Sequence, residues 1–261
     1  MVISGLAWPM LFVGLLWFVS TGAIIWLDNR PRSTFRASMA GATLMALVGL
    51  AAVVQSAADT SAAGAYIAFA ASTAIWGWHE MSFLMGFVAG PNRAPEAPEL
   101  AGWARFRSAS ATLIHHEVAL VLTGALLYLL VWGEPNRLAA DSFALLYLMR
   151  LSTKLNIFLG VANLSTDIMP PHLAYLKSYF RTARMNALFP VSAIGSAWAC
   201  WLLWAQATGA APGSGAAVSA AMLFTLAAVA LLEHLFIMLP LADSALWRWA
   251  QTKEAGGTHG L

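Results

Sequence analysis

Charge is what this chain has least of: Asp, Glu, Lys and Arg make up 10% of its 261 residues, against 60% hydrophobic residues. Soluble domains carry about a quarter of their residues as charges, so an ordinary water-soluble domain is excluded. With a mean hydropathy of +0.70, the composition is that of a polytopic membrane protein. There is a single cysteine, Cys200, set in an apolar run. That excludes a disulfide framework and a zinc-type cysteine pair, and leaves packing as its expected role. The period-2 alternation of a membrane β-barrel is absent. So are internal repeats, a Gly-rich phosphate loop and a nucleotide fingerprint. The first residues, Met1 to Leu6, hold no Lys or Arg and no small-residue cleavage pattern follows the first apolar run, so a retained helix is expected in place of a removed signal.

What is present is a set of seven apolar runs, at about 3–27, 37–57, 63–89, 109–132, 142–163, 186–207 and 216–239. Each approaches the roughly 20 residues a helix needs to cross a bilayer, and closed helices pair every backbone group within lipid. The expected fold is therefore all-α: a single seven-helix membrane domain over 1–261. The net charge of +2 serves topology, and no nucleic-acid partner is expected. Arg30, Arg32 and Arg36 follow the first run; Arg93, Arg105 and Arg107 the third; Lys177, Arg181 and Arg184 the fifth; Arg248 and Lys253 the last. The alternate loops hold only Arg137. By the positive-inside rule the N-terminus is extracytoplasmic and the C-terminus cytoplasmic.

The connections are short. Loop three, from Gly90 to Glu99, is Pro-rich and polar, an extended cytoplasmic connector. Loop five, 170–184, mixes Leu173, Leu176, Tyr179 and Phe180 with Lys177, Arg181 and Arg184, a pattern suited to a short helix in the cytoplasmic interface. Trp8, Trp103, Trp132, Trp247 and Trp249 fall near run ends, where aromatic belts form.

Polar residues interrupt four of the runs: His79 and Glu80 in the third, His115, His116 and Glu117 in the fourth, Arg150, Lys154 and Asn156 in the fifth, Glu233 and His234 in the seventh. An ionisable residue at the bilayer centre costs at least about 2.5–3.5 kcal/mol, so Glu80, Glu117, Arg150, Lys154 and Glu233 together imply mutual compensation or a shared task. With a rise of about 1.5 Å per residue, most of these residues lie roughly 8–16 Å inside the cytoplasmic boundary. They form one layer. Arg150 and Lys154, at i and i+4, share a helix face. His115 and Glu117, two residues and about 200° apart, cannot both face one centre.

Three chemistries suit such a layer. In the first it is an ion-pair and hydrogen-bond network that glues helices, with Arg150, Lys154 and Asn156 in the pairing set. The second is a transition-metal site, iron for example, drawing on His79, Glu80, His115, His116, Glu117, Glu233 and His234. The Glu-x-x-His spacing of bundle di-metal sites and the HxxxH boxes of membrane desaturases are both missing, however. In the third, His79, His116 or His234 ligates a tetrapyrrole axially, with Trp76 and Trp78 as packing for the ring.

Five strings carry a further signal: Trp76-Gly-Trp-His-Glu-Met-Ser-Phe-Leu-Met-Gly-Phe87, Ala111-Thr-Leu-Ile-His-His-Glu-Val-Ala-Leu120, Met149-Arg-Leu-Ser-Thr-Lys-Leu-Asn-Ile-Phe158, Pro171-His-Leu-Ala-Tyr-Leu-Lys-Ser-Tyr-Phe180 and Met185-Asn-Ala-Leu-Phe-Pro190. In this order, over about 63–240, they resemble the PuhE family of photosynthetic complex assembly proteins of anoxygenic phototrophic bacteria. The resemblance implies a place in the photosynthetic, intracytoplasmic inner membrane of organisms such as purple bacteria. It also implies a role in forming the reaction centre with its light-harvesting ring. Expected partners are core-complex subunits or pigment-synthesis proteins, and the expected ligand is bacteriochlorophyll or another tetrapyrrole. It brings no chemical activity residue by residue, so a non-enzymatic assembly factor is expected. The alternative is a metal-dependent oxidoreductase, or its subunit, in bacteriochlorophyll or carotenoid biosynthesis.

Overall fold

The computed structural model describes residues 2–164 and 169–239. Trp247, Arg248, Trp249 and Lys253 lie outside the described residues. Eight α-helices follow one another: α1 (Val2–Asp28), α2 (Phe35–Ser56), α3 (Ala62–Leu84), α4 (Gly102–Ser110), α5 (Ile114–Leu130), α6 (Leu138–Leu159), α7 (Leu188–Gly209) and α8 (Gly215–Phe236). Two 3-10 helices, Arg32–Thr34 and Pro171–Tyr179, lie between them. There is no strand among the described residues, only an isolated parallel bridge between Val161 and Thr182.

The helix ends follow from local chemistry. Ser61 and Ser214 cap α3 and α8, their hydroxyls accepting from the Gly64 and Ala217 backbone N–H groups. Asn186 starts α7, its side-chain oxygen accepting from Leu188 N at 2.9 Å and Phe189 N at 3.0 Å. Its amide also donates to the Asn156 and Gly160 carbonyls at the end of α6. One asparagine thus satisfies orphan groups of two helix termini.

α3 is the central helix, packed against α1, α2, α6 and α8, while α5 leans on α6 and α7 pairs with α8. Val13, Phe69, Trp76, Leu120, Leu127, Phe143 and Met222 belong to the main apolar core. Large apolar side chains also cover the outside: Trp132 is 81% exposed, and Trp8, Trp103, Val191, Ile194 and Trp198 are open as well. So large an apolar exterior suits a hydrocarbon solvent.

Four helices are long and apolar enough to cross a membrane by length and composition: Gly5–Asp28, Arg32–Ser56, Leu188–Gly209 and Gly215–Phe236. The pair α4–α5 gives a fifth when taken as one broken span, bent by 66°. α3 and α6 are as long, at 23 and 22 residues, but they carry much of the polar layer. The run expected at 109–132 is helical as one piece only from Ile114. Loop three wedges into the bend before it: Asn92 N donates to Ala111 O at 3.0 Å, and a Cβ on Gly90 would run into the Ala111 carbonyl and Thr112 backbone. Only glycine fits that approach.

The segment 171–179, expected as a helix in the interface, is wound as a 3-10 helix whose Leu173, Leu176 and Tyr179 are buried in the protein. Arg105 locks it down. This side chain is 7% exposed; it donates to Glu96 Oε1 at 2.7 Å, Phe158 O at 3.1 Å and Tyr179 O at 2.8 Å, and its guanidinium lies 4.1 Å over the Phe158 ring.

Candidate functional site

The polar layer is assembled by α3, α5, α6, α7 and α8. Arg150 and Lys154 leave α6 on one face and meet carboxylates from two other helices. Lys154 Nζ donates to Glu117 Oε1 on α5 at 2.6 Å, and Arg150 Nη2 reaches Glu80 Oε2 on α3 at 3.4 Å. The field of Glu233 on α8 also acts on Arg150. The layer therefore compensates its own charge, as buried ions require.

Compensation is incomplete in hydrogen bonds, however. Glu80 Oε1, Glu117 Oε2, His79 Nδ1, Asn156 Oδ1 and both ring nitrogens of His116 are buried without a hydrogen-bond partner among the described residues. His116 is the extreme case: it is 0% exposed and stands in the first turn of α5. Its ring lies 4.8 Å from that of Phe83 and 6.4 Å from that of His79. Glu80, Lys154, Arg150 and His79 all act on it electrostatically. Buried polar groups are almost always paired, so an imidazole with two orphan nitrogens inside a charged layer marks a place where a ligand or proton can be taken.

The other expected residues separate from this centre. His79 Nε2 pairs with Thr123 Oγ1 at 2.9 Å. His115 is exposed beside its buried neighbours His116 and Glu117, as the angular spacing requires of one member of the triplet. His234 is fully buried but engaged: Nδ1 donates to Ala230 O at 2.8 Å, and Nε2 sits 2.9 Å from Ser152 Oγ. Ser152 in turn contacts Ser192 at 2.9 Å, and Asn156 Nδ2 donates to Ser192 Oγ at 3.0 Å, a second polar group stitching α6, α7 and α8. Trp76 packs edge-on to Phe143 at 5.3 Å, and Trp78 Nε1 donates to Thr43 Oγ1 at 2.9 Å on α2. Among the described residues, no three His, Cys, Asp or Glu side chains converge as a metal site.

Sequence reasoning missed Asp28, Thr123, Ser152 and Ser192. Asp28 is 6% exposed at the end of α1, and the charge of Glu80 acts on it. A signal existed: an acid in the last turn opposes the helix dipole and needs a compensating reason to be there.

The sequence matches, over residues 3–257, the family described as protein of unknown function DUF3623. The chain belongs to this family. A similar relative is the "Uncharacterized 30.4 kDa protein in puhA 5'region" of Rhodobacter capsulatus. It is 41% identical over 240 residues, covering 90% of this chain and 86% of the relative. No solved structure matches. In this DUF3623 chain the strings singled out above fall on the layer and on the loops that close it. Residues 76–87 bring His79, Glu80 and Phe83, 111–120 the bend and His116, 149–158 both cations, 171–180 the segment gripped by Arg105, and 185–190 the Asn186 cap.

Proposed function

We propose that this protein is an assembly factor for the photosynthetic reaction centre and its light-harvesting core complex. In this reading it spans the bacterial inner membrane seven times, with the N-terminus outside and the C-terminus in the cytoplasm. The position of the Rhodobacter capsulatus relative in the puhA 5′ region supports the photosynthetic setting. The alternation of basic loops supports the orientation. The task proposed for the layer is to handle bacteriochlorophyll or a related tetrapyrrole, and the observation that carries it is His116.

A tetrapyrrole-bound metal would ask the protein for few donors beyond those of its own ring, and His116 would be the residue to hold it. The residues fit that demand. His116 offers a nitrogen with no competing partner, Phe83 lies against its ring, and the nearby carboxylates face Lys154 and Arg150. The magnesium macrocycle would supply light absorption and a Lewis-acidic centre. The chain would supply the imidazole, an apolar wall of Phe83 and Phe143, and a charge-balanced surround. With both carboxylates engaged by cations, the donor set favours single axial ligation over the multi-ligand centre that a metal-dependent oxidoreductase would use.

Purification from pigment-making cells tests this. Near-stoichiometric tetrapyrrole absorbance is expected with the wild-type protein, and its loss in His116→Leu at unchanged protein abundance. Absence of absorbance from the wild-type protein would overturn the reading. Cells carrying His116→Leu are expected to keep normal pigment chemistry but contain less core complex.

A further inference from the structure

A pocket of about 250 Å³ lies at the ends of α2 and α3, away from the polar layer, and no role has been given to it. Its lining brings together three segments distant in sequence: Arg32 just before α2, Arg93 in loop three, and His172 with Tyr175 in the 171–179 helix. Among the described residues no carboxylate lines it. Neither arginine forms an ion pair among the described residues. Arg93 spends one N–H on Gly86 O at 3.2 Å, and His172 Nε2 donates to Leu84 O at 2.6 Å. These two bonds satisfy carbonyls at the end of α3 that would otherwise repel an anion, and they leave most guanidinium donors free. The Tyr175 hydroxyl is buried with no partner among the described residues, although the charge of Arg93 reaches it.

Two guanidinium groups without an ion pair, an orphan hydroxyl and no acid among the described lining residues make a site for an oxyanion, and planar guanidinium forks suit phosphate oxygens in particular. The rest of the lining decides the source. Phe35, Met85 and Leu173 are apolar, and Arg32 opens the candidate membrane span Arg32–Ser56. The pocket thus sits at the edge of the hydrocarbon and offers one charged wall and one greasy wall. We propose that it binds the phosphate of an anionic phospholipid headgroup, with the start of the acyl chains against Phe35, Met85 and Leu173. A lipid held there would tie α2, loop three and the 171–179 helix together at the membrane surface.

The test uses the full-length protein in neutral, phosphate-free detergent buffer, with unfolding followed by tryptophan fluorescence. The probes are short-chain phosphatidylglycerol and inorganic phosphate. Phosphatidylglycerol at saturation is expected to raise the wild-type Tm by about 2–4 °C. Arg36→Gln, which removes an exposed charge outside the pocket lining, should keep the shift, and the double variant Arg32→Gln/Arg93→Gln should lose it. An equal shift with inorganic phosphate, again requiring both arginines, would support the oxyanion site and assign it to a soluble phosphate ester. No shift in the wild type, or a full shift in the double variant, would overturn the proposal. Should the double variant fail to fold, Tyr175→Phe decides: a several-fold weaker affinity supports the site, and unchanged affinity overturns it.

Discussion

Removing Lys154 should damage this protein more than removing both members of its ion pair. In Lys154→Met the Glu117 carboxylate loses its 2.6 Å partner, and its other oxygen already has none. The side chains of Lys154 and Glu117 are 24% and 11% exposed, so water offers the stranded charge little relief. Breaking a buried pair from one side costs about 3–5 kcal/mol, whereas replacing both members with apolar groups of similar volume is often neutral. The partial exposure of Lys154 puts the expected loss near the low end, about 3 kcal/mol, or roughly a 150-fold change in the unfolding constant. Glu117→Leu/Lys154→Met should fall within about 1 kcal/mol of wild type. Equilibrium unfolding in mixed detergent, followed by circular dichroism, measures all corners of the cycle. Additive losses in the double variant, or a Lys154→Met protein as stable as wild type, would refute the reasoning. The same variants separate glue from function: a stable double variant that still fails to support core-complex formation shows that the charges do more than hold helices.

Two further outcomes concern His172 and Arg105. Burial, aided by the charges of Arg32 and Arg93 and opposed by the bond to Leu84 O, holds His172 below its ordinary value of 6.5. A base whose folded value is depressed gives stability that is present above about pH 6.5 and drains away as pH falls through the folded value. Protease sensitivity of loop three in phosphate-free buffer should therefore rise as pH falls below about 6.5 in the wild type and stay flatter in His172→Gln, which keeps the N–H donor; superimposable profiles would count against the assignment. Arg105→Lys cannot reproduce three hydrogen bonds to Glu96, Phe158 and Tyr179. It should lower unfolding stability by about 3 kcal/mol and reduce protein yield in membranes, and wild-type stability would argue that the contacts are incidental.

That polar residues from separate runs would meet was legible because an ion among apolar residues is too costly to leave unpaired, so His79, Glu80, His116, Glu117, Arg150, Lys154 and Glu233 stood out against their apolar runs. Their pairing was not legible. The i, i+4 spacing of Arg150 and Lys154 says that they share a face, but which carboxylate each meets depends on which helices flank α6. For the same reason His234 could be placed in depth but not assigned to Ser152. The break before Ile114 left no apolar gap, since it is imposed by the loop-three backbone at Gly90. Arg105 hid in plain view: as one of several loop arginines it read as a topological charge, while its burial needs segments 53 and 74 residues further along the chain.

That separation has a consequence for how the protein is made. When Arg105 is added to the growing chain, Tyr179 is still 74 residues from being synthesised, a wait of roughly 4–15 s at about 5–20 residues per second. During that interval Arg105 lacks the Phe158 and Tyr179 carbonyls that it later binds. Once the 171–179 segment arrives, the same guanidinium is buried and holds that segment in place. The latch can therefore close only late in synthesis, and the order of translation sets when it does.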